Sequence, residues 1–329
     1  MPPAPKPAIP NPAAVLPGEA DILAAVISDL SDDTAKLVYA DWLQDRDDPR
    51  GPLLRNFVTA FRAGKKLPAV KASPWRDLVG VTLMAKVRGT VLEAKADQLL
   101  ALAKPALTFK PVKASEKSLA VGSSKFGGQP DLPLKTKWPA WQKEPLAFLA
   151  QFNLAELQPS PVAGELPAIG VLSAFCLYTG DGDDDFPDDS WRLFYFPDPT
   201  KLVRHELDAE LEDESQFPSC RVEYAETLTL PDRDSPWEHE LKAIGNTDVD
   251  SEYMSLYYNM CPGDHILGYP FPIQWDILGN KTVRHLLTIC GNDETGWEFA
   301  DGGALYFTLK EADLLAGRFD RVKMIIDCA

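Results

Sequence analysis

Pro145-Leu146-Ala147-Phe148-Leu149-Ala150-Gln151 is an apolar run closed by a polar residue, and Gly170-Val171-Leu172-Ser173-Ala174-Phe175 is a second one opened by a glycine. Runs this short, bounded by Pro and Gly, read as strands rather than helices. The same order returns later in the chain. Gly127-Gly128-Gln129-Pro130 precedes the first pair of runs. Leu267-Gly268-Tyr269-Pro270 precedes His285-Leu286-Leu287-Thr288-Ile289, which leads to Gly303-Ala304-Leu305-Tyr306-Phe307. Each copy is a Gly-x-Pro turn, a hydrophobic strand, and a glycine that opens a second strand. Such a repeat implies two related halves, expected to pack face to face with a central groove.

Outward from these runs, strands are expected at 147–152, 171–178, 191–196, 227–230, 285–290, 304–309 and 322–326, separated by turn formers. The first hundred residues have a different texture. Ile22, Leu23, Val26, Ile27 and Leu30 share one helical face, as do Leu53, Leu54, Phe57, Val58 and Phe61. Between them lies a helix carrying Leu37, Val38, Tyr39, Trp42 and Leu43, which Ser31, Asp32 or Asp33 can cap through a side-chain oxygen. Pro52 suits the first turn of the helix that follows. Two more helices are expected near 74–87 and 90–103. The fold class is therefore α+β: a Pro/Ala-rich disordered tail over 1–18, a helical module over 19–105, and a β-rich domain over 106–329.

Charge supports that boundary. Of the 329 residues, the first 105 hold 14 Lys/Arg against 12 Asp/Glu, and the remainder holds 19 against 37, giving +2 and −18 for the two parts. A chain at net −16 repels phosphate backbones, so nucleic-acid binding is not expected. No apolar run approaches membrane-spanning length. The five cysteines are dispersed, with no metal-ligand spacing, which suits a reducing, cytoplasmic setting. No cofactor and no metal are expected.

Two resemblances are carried by ordered strings. The first is Leu37-Val38-Tyr39-Ala40-Asp41-Trp42-Leu43-Gln44-Asp45-Arg46, then Asp48-Pro49-Arg50-Gly51 and Leu54-Arg55. It resembles the repeat-companion domain known mainly in planctomycetes and myxobacteria, over about residues 19–62. Asp47 stands where that family more often has glycine. The resemblance implies a modular accessory role and brings no known chemistry. The second runs from Ser124-Lys125-Phe126-Gly127-Gly128-Gln129-Pro130 through Gln151 to His265-Ile266-Leu267-Gly268-Tyr269-Pro270, Gln274, Trp297 and Asp301-Gly302-Gly303. It is similar to the YwqG-like family over about 106–329. The family is bacterial and implies a fold without assigning a role. Gln151, Gln274, Trp297 and Asp301, which belong to these motifs, are expected at a binding surface.

Candidate sites are few. Asp181, Asp183, Asp184, Asp185, Asp188 and Asp189 make an acidic stretch suited to a basic partner. Phe186 and Arg192 break its likeness to a calcium loop. Cys261-Pro262-Gly263-Asp264-His265 brings a thiol and an imidazole close in sequence, the leading enzymatic candidate, although His265 within its motif suits a turn-holding role better. The charged run Asp41, Asp45, Arg46, Asp48 and Arg50 reads as locally paired helix surface. The expectation is a non-enzymatic protein-binding or regulatory module that recognises a basic protein. An enzyme using Cys261 and His265 or groove carboxylates, and a structural adaptor, are the alternatives.

Overall fold

The helical periodicity of the first hundred residues is realised in a computed structural model that describes residues 16–69, 71, 73–178, 187, 189–245 and 247–328. The helices are α1 (Glu19–Ser28), α2 (Asp33–Gln44), α3 (Arg50–Arg62), α4 (Pro74–Leu78), α5 (Val81–Val87) and α6 (Ala96–Leu102). Asp32 caps α2, its carboxylate accepting from the Thr34 N–H at 2.7 Å. The single helix expected at 74–87 is divided by Gly80, which takes φ +76° where a continuing helix cannot.

The ordered string around Tyr39 proves to be a packing device. Glu19 is fully buried at the head of α1 and accepts a bidentate pair from Arg50 at 2.7 and 3.0 Å. The Tyr39 hydroxyl also donates to Glu19, and the Trp75 indole N–H donates to Tyr39 at 2.9 Å. Gly51 is required because a Cβ there would lie 2.6 Å from the Ala40 carbonyl oxygen. Arg46 lies over the Trp42 ring at 3.7 Å, and Arg55 pairs with Asp41. Asp47 has φ 54°, the left-handed region that glycine enters freely.

The β-rich part is built on one ten-stranded antiparallel sheet. Its strands in chain order are β1 (Lys104–Lys113), β2 (Lys125–Phe126), β3 (Ala147–Asn153), β4 (Val171–Cys176), β5 (Trp191–Phe196), β6 (Cys220–Thr229), β7 (His265–Ile266), β8 (Val283–Cys290), β9 (Ala304–Lys310) and β10 (Lys323–Asp327). Across the sheet the order is β10-β9-β8-β7-β1-β6-β2-β3-β4-β5. It reads the same from either side of the central β1–β6 pair. The repeat in the sequence is thus a repeat in the sheet, β2-β3-β4-β5 answering β7-β8-β9-β10.

The register extends the match to single residues. Lys125 pairs with Gln151 as His265 pairs with Thr288. β3 is bulged between Phe148 and Ala150, and β8 between His285 and Leu287. The turns after β2 and β7 take positive φ at Gly127 and Gly128 and at Leu267 and Gly268. The same staple closes both. Lys125 Nζ donates to the Gln129 carbonyl, and His265 Nε2 lies 2.9 Å from the Tyr269 carbonyl oxygen.

The halves join edge to edge through β1 and β6, and they also meet across an interior. Trp191 of β5 packs edge-on against Phe307 of β9, with ring centroids 5.8 Å apart. The expected groove between the halves is filled: Leu172, Ala174, Leu305 and Phe307 belong to one continuous apolar core. The same core takes in Leu23, Tyr39, Phe57 and Leu78, so the helices and the sheet are packed as one interior. A cavity lies instead on the opposite face of β8 and β9.

Candidate functional site

Strand alternation creates that cavity. Leu287, Ile289, Leu305 and Phe307 point into the core, while Thr288, Cys290, Ala304 and Tyr306 face the other way and line a space of about 560 Å³. One wall comes from the segment after the Leu267-Gly268 turn. Asp327 at the end of β10 accepts the Ile273 and Gln274 N–H groups at 2.7 and 2.9 Å, and the Tyr306 hydroxyl donates to the Phe271 carbonyl at 2.7 Å. These bonds hold Phe271 and Ile273 along the cavity.

The other wall is the connection from β8 to β9, rich in glycine: Gly291, Gly296, Gly302 and Gly303 all line the space. Asn292 Oδ1 accepts from the backbone and hydroxyl of Thr295 at 3.0 and 2.9 Å, closing a tight loop. The Trp297 indole N–H donates to the Cys290 carbonyl at 2.8 Å. Gly303 tolerates no side chain, since a Cβ would meet the Phe299 carbonyl oxygen at 2.4 Å.

Of the residues expected from the sequence, Cys261 and Trp297 are brought together as cavity lining. Gln274 and Asp301 are exposed and adjoin the lining residues Ile273 and Gly302. Gln151 stands elsewhere, buried at the matching position of the first half. Its amide accepts from the Asp131 N–H at 2.9 Å and donates to the Ser123 carbonyl and the Asp131 carboxylate, both at 2.7 Å. Asp181, Asp183, Asp184, Asp185 and Asp188 lie outside the described residues, and Asp189 is exposed. Asp293 and Glu298, which carried no signal of their own in the sequence, complete the cavity with Phe271 and Tyr306. The clustering of glycine and carboxylates over 291–303 was the available clue.

Cys261 is exposed, but His265 is fully buried, its Nδ1 2.6 Å from the Gly263 carbonyl oxygen and its Nε2 2.9 Å from that of Tyr269. Both ring nitrogens face backbone, so neither is directed at the Cys261 thiol. Burial pulls the His265 pKa down, against the two carbonyls that raise it. The His285 ring lies 4.5 Å away and is likewise lowered, chiefly by burial. Its Nε2 is 2.7 Å from the Thr288 hydroxyl. Asp264 is nearly buried, and desolvation pushes its pKa up to about 7 against one bond from the Cys290 N–H at 2.7 Å. Burial also pushes the Cys290 thiol up, which keeps it protonated.

The cavity adjoins an acidic surface, and Tyr178 is the joint between them. Its hydroxyl accepts from the Glu298 N–H at 3.1 Å, and its carbonyl accepts from the Ser215 hydroxyl at 3.0 Å. Ser215 closes the segment holding Glu206, Asp208, Glu210, Glu212, Asp213 and Glu214, and no Lys or Arg occurs between 205 and 220. Among the described residues, none of these six carboxylates is in an ion pair. In chain order the acidic stretch 181–189 follows Tyr178.

Residues 124–328 match the model of a domain of unknown function, DUF1963, the family that includes the YwqG-like proteins. The match begins after β1, although β1 occupies the centre of the sheet. No curated protein matches the chain.

Proposed function

Since the chain belongs to the DUF1963 family, whose description carries no activity, we propose from its own surface that it is a non-enzymatic binding or regulatory module whose acidic domain receives a basic protein. The observation that carries this reading is the convergence at Tyr178. There the segment 206–214 and the cavity lip at Glu298 adjoin one another. Unpaired carboxylates on one face raise the local concentration of cationic partners and steer their approach. The likeness of residues 19–62 to the repeat-companion domain supports an accessory role for the helical module, in a bacterial, cytoplasmic setting.

Fluorescence anisotropy with a labelled ten-residue oligolysine tests the reading on the full chain. Replacing Glu210, Glu212 and Glu214 by Gln is expected to weaken binding by about ten-fold, or roughly 0.5 kcal/mol per carboxylate removed. Replacing the exposed Asp21, Asp45 and Asp47 of the helical module by Asn should leave it unchanged. Equal losses in the two triple variants would mean that net charge alone is being measured.

A further inference from the structure

The cavity has a chemical character narrower than acidity. Its interior is walled by Phe271, Ile273, Ala304 and Tyr306, which are apolar along most of their surface. Its charged lining residues are Asp293 and Glu298, both exposed, and no Lys or Arg lines it. Among the described residues neither carboxylate has an ion-pair partner, whereas carboxylates such as Asp131 and Asp313 are paired. Apolar walls together with carboxylates outside any ion pair complement one type of group, an aliphatic stem that carries a cation at its tip. Lys and Arg side chains have that form. A volume of about 560 Å³ accommodates more than one side chain and falls in the range of ligand pockets.

The surroundings suit a peptide. Ile273 is 40% exposed at the wall, and Tyr258, 63% exposed, has its ring 5.8 Å from that of Phe271. Exposed aromatic and aliphatic groups around a pocket are the usual frame of an interface anchor. The glycines leave backbone bare along the opposite wall. The cavity lip is bonded to Tyr178, so it is continuous with the acidic surface described above.

We propose that this cavity is the anchor site for a basic partner, taking a Lys or Arg side chain of an extended segment with its stem against Phe271, Ile273 and Tyr306 and its cation at Asp293 and Glu298. The inference rests on the reading of the acidic surface as a partner site, and it adds where the partner is gripped.

Cys261 provides a local reporter, because its thiol is exposed and lines the cavity. The alkylation rate of Cys261 in the full chain, followed by peptide mass spectrometry, is measured with and without ten-residue oligolysine, with decaglutamate as control. At oligolysine about four times above its Kd, alkylation is expected to slow about five-fold. Decaglutamate should have no effect. Both Asp293→Asn with Glu298→Gln and the separate variant Ile273→Arg, which places a fixed cation at an exposed wall position, should abolish the protection. Anisotropy on the same samples separates the failures. Oligolysine that binds without slowing Cys261 alkylation, or protection that survives both variants, overturns the cavity site and leaves the acidic surface standing. Oligolysine that does not bind overturns both.

Discussion

A carboxyl buried against a single backbone donor is costly to ionise, and Asp264 is in that position. Its pKa stands at about 7 in the folded protein against an ordinary 3.8. Between those values the native state keeps a proton that the unfolded chain has released. Stability therefore falls as pH rises through that window and levels off above it. A shift of this size corresponds to at most about 4 kcal/mol. His265 and His285 act in the opposite sense. Their folded pKa values are lowered, so their contribution is lost as pH falls below the unfolded value near 6.5. Asp264→Asn isolates the first effect, since its amide oxygen still accepts the Cys290 N–H. The variant is expected to melt somewhat above the wild type at pH 5, with the gap widening up to about pH 7 and holding at pH 8. A difference that does not vary with pH would mean that Asp264 does not titrate there.

At the level of elements, the two Gly-x-Pro turns carry the architecture. Gly268 takes φ +70°, and a Cβ there would lie 2.6 Å from Thr229 Oγ1 and 2.8 Å from Ala106 Cβ. Gly268→Ala is expected to cost about 2–4 kcal/mol in chemical denaturation. Gly302 has φ +65° but open space around it, so Gly302→Ala should cost only about 1 kcal/mol. Similar costs for the two would place the whole effect in backbone conformation rather than in the close approach to β1 and β6. These turns were legible in the sequence because a glycine beside a proline has few other uses, and β3, β4, β8 and β9 were legible as bounded apolar runs. β1 was not, because it holds Pro105 and Pro111. They fit a central strand through parity. Phe109, an even number of residues from each, directs its N–H to the Asp264 carbonyl on the β7 side. β7 itself pairs only with Leu107 and Thr108, so the missing donors fall where little pairing is available. The cavity was only partly legible. Cys261 and Trp297 carried signals, but the pairing of β7, β8 and β9 is what brings residues 261–273 and 288–306 around one cavity, and a linear motif does not encode that.

For the whole molecule, the charge boundary near residue 105 is not a boundary in the core. Leu78 lies in the same apolar interior as Phe109, Tyr224 and Phe152, and α4 packs on β6. Residues 104–329 without the helices are expected to expose this surface, bind a hydrophobic dye and lose the cooperative melt of the full chain. A sharp transition in that fragment would show that the sheet holds its own core. The proposed partner site relies on electrostatic steering, which fades when salt shortens the screening length. The most direct measurement is therefore oligolysine binding to the full chain at about 0.02 M and about 0.3 M salt, where that length falls from roughly 20 Å to 6 Å. The affinity is expected to drop at least about ten-fold between the two, with most of the change in the association rate. Binding of equal strength at both salts would contradict a partner site built on the carboxylates around Tyr178.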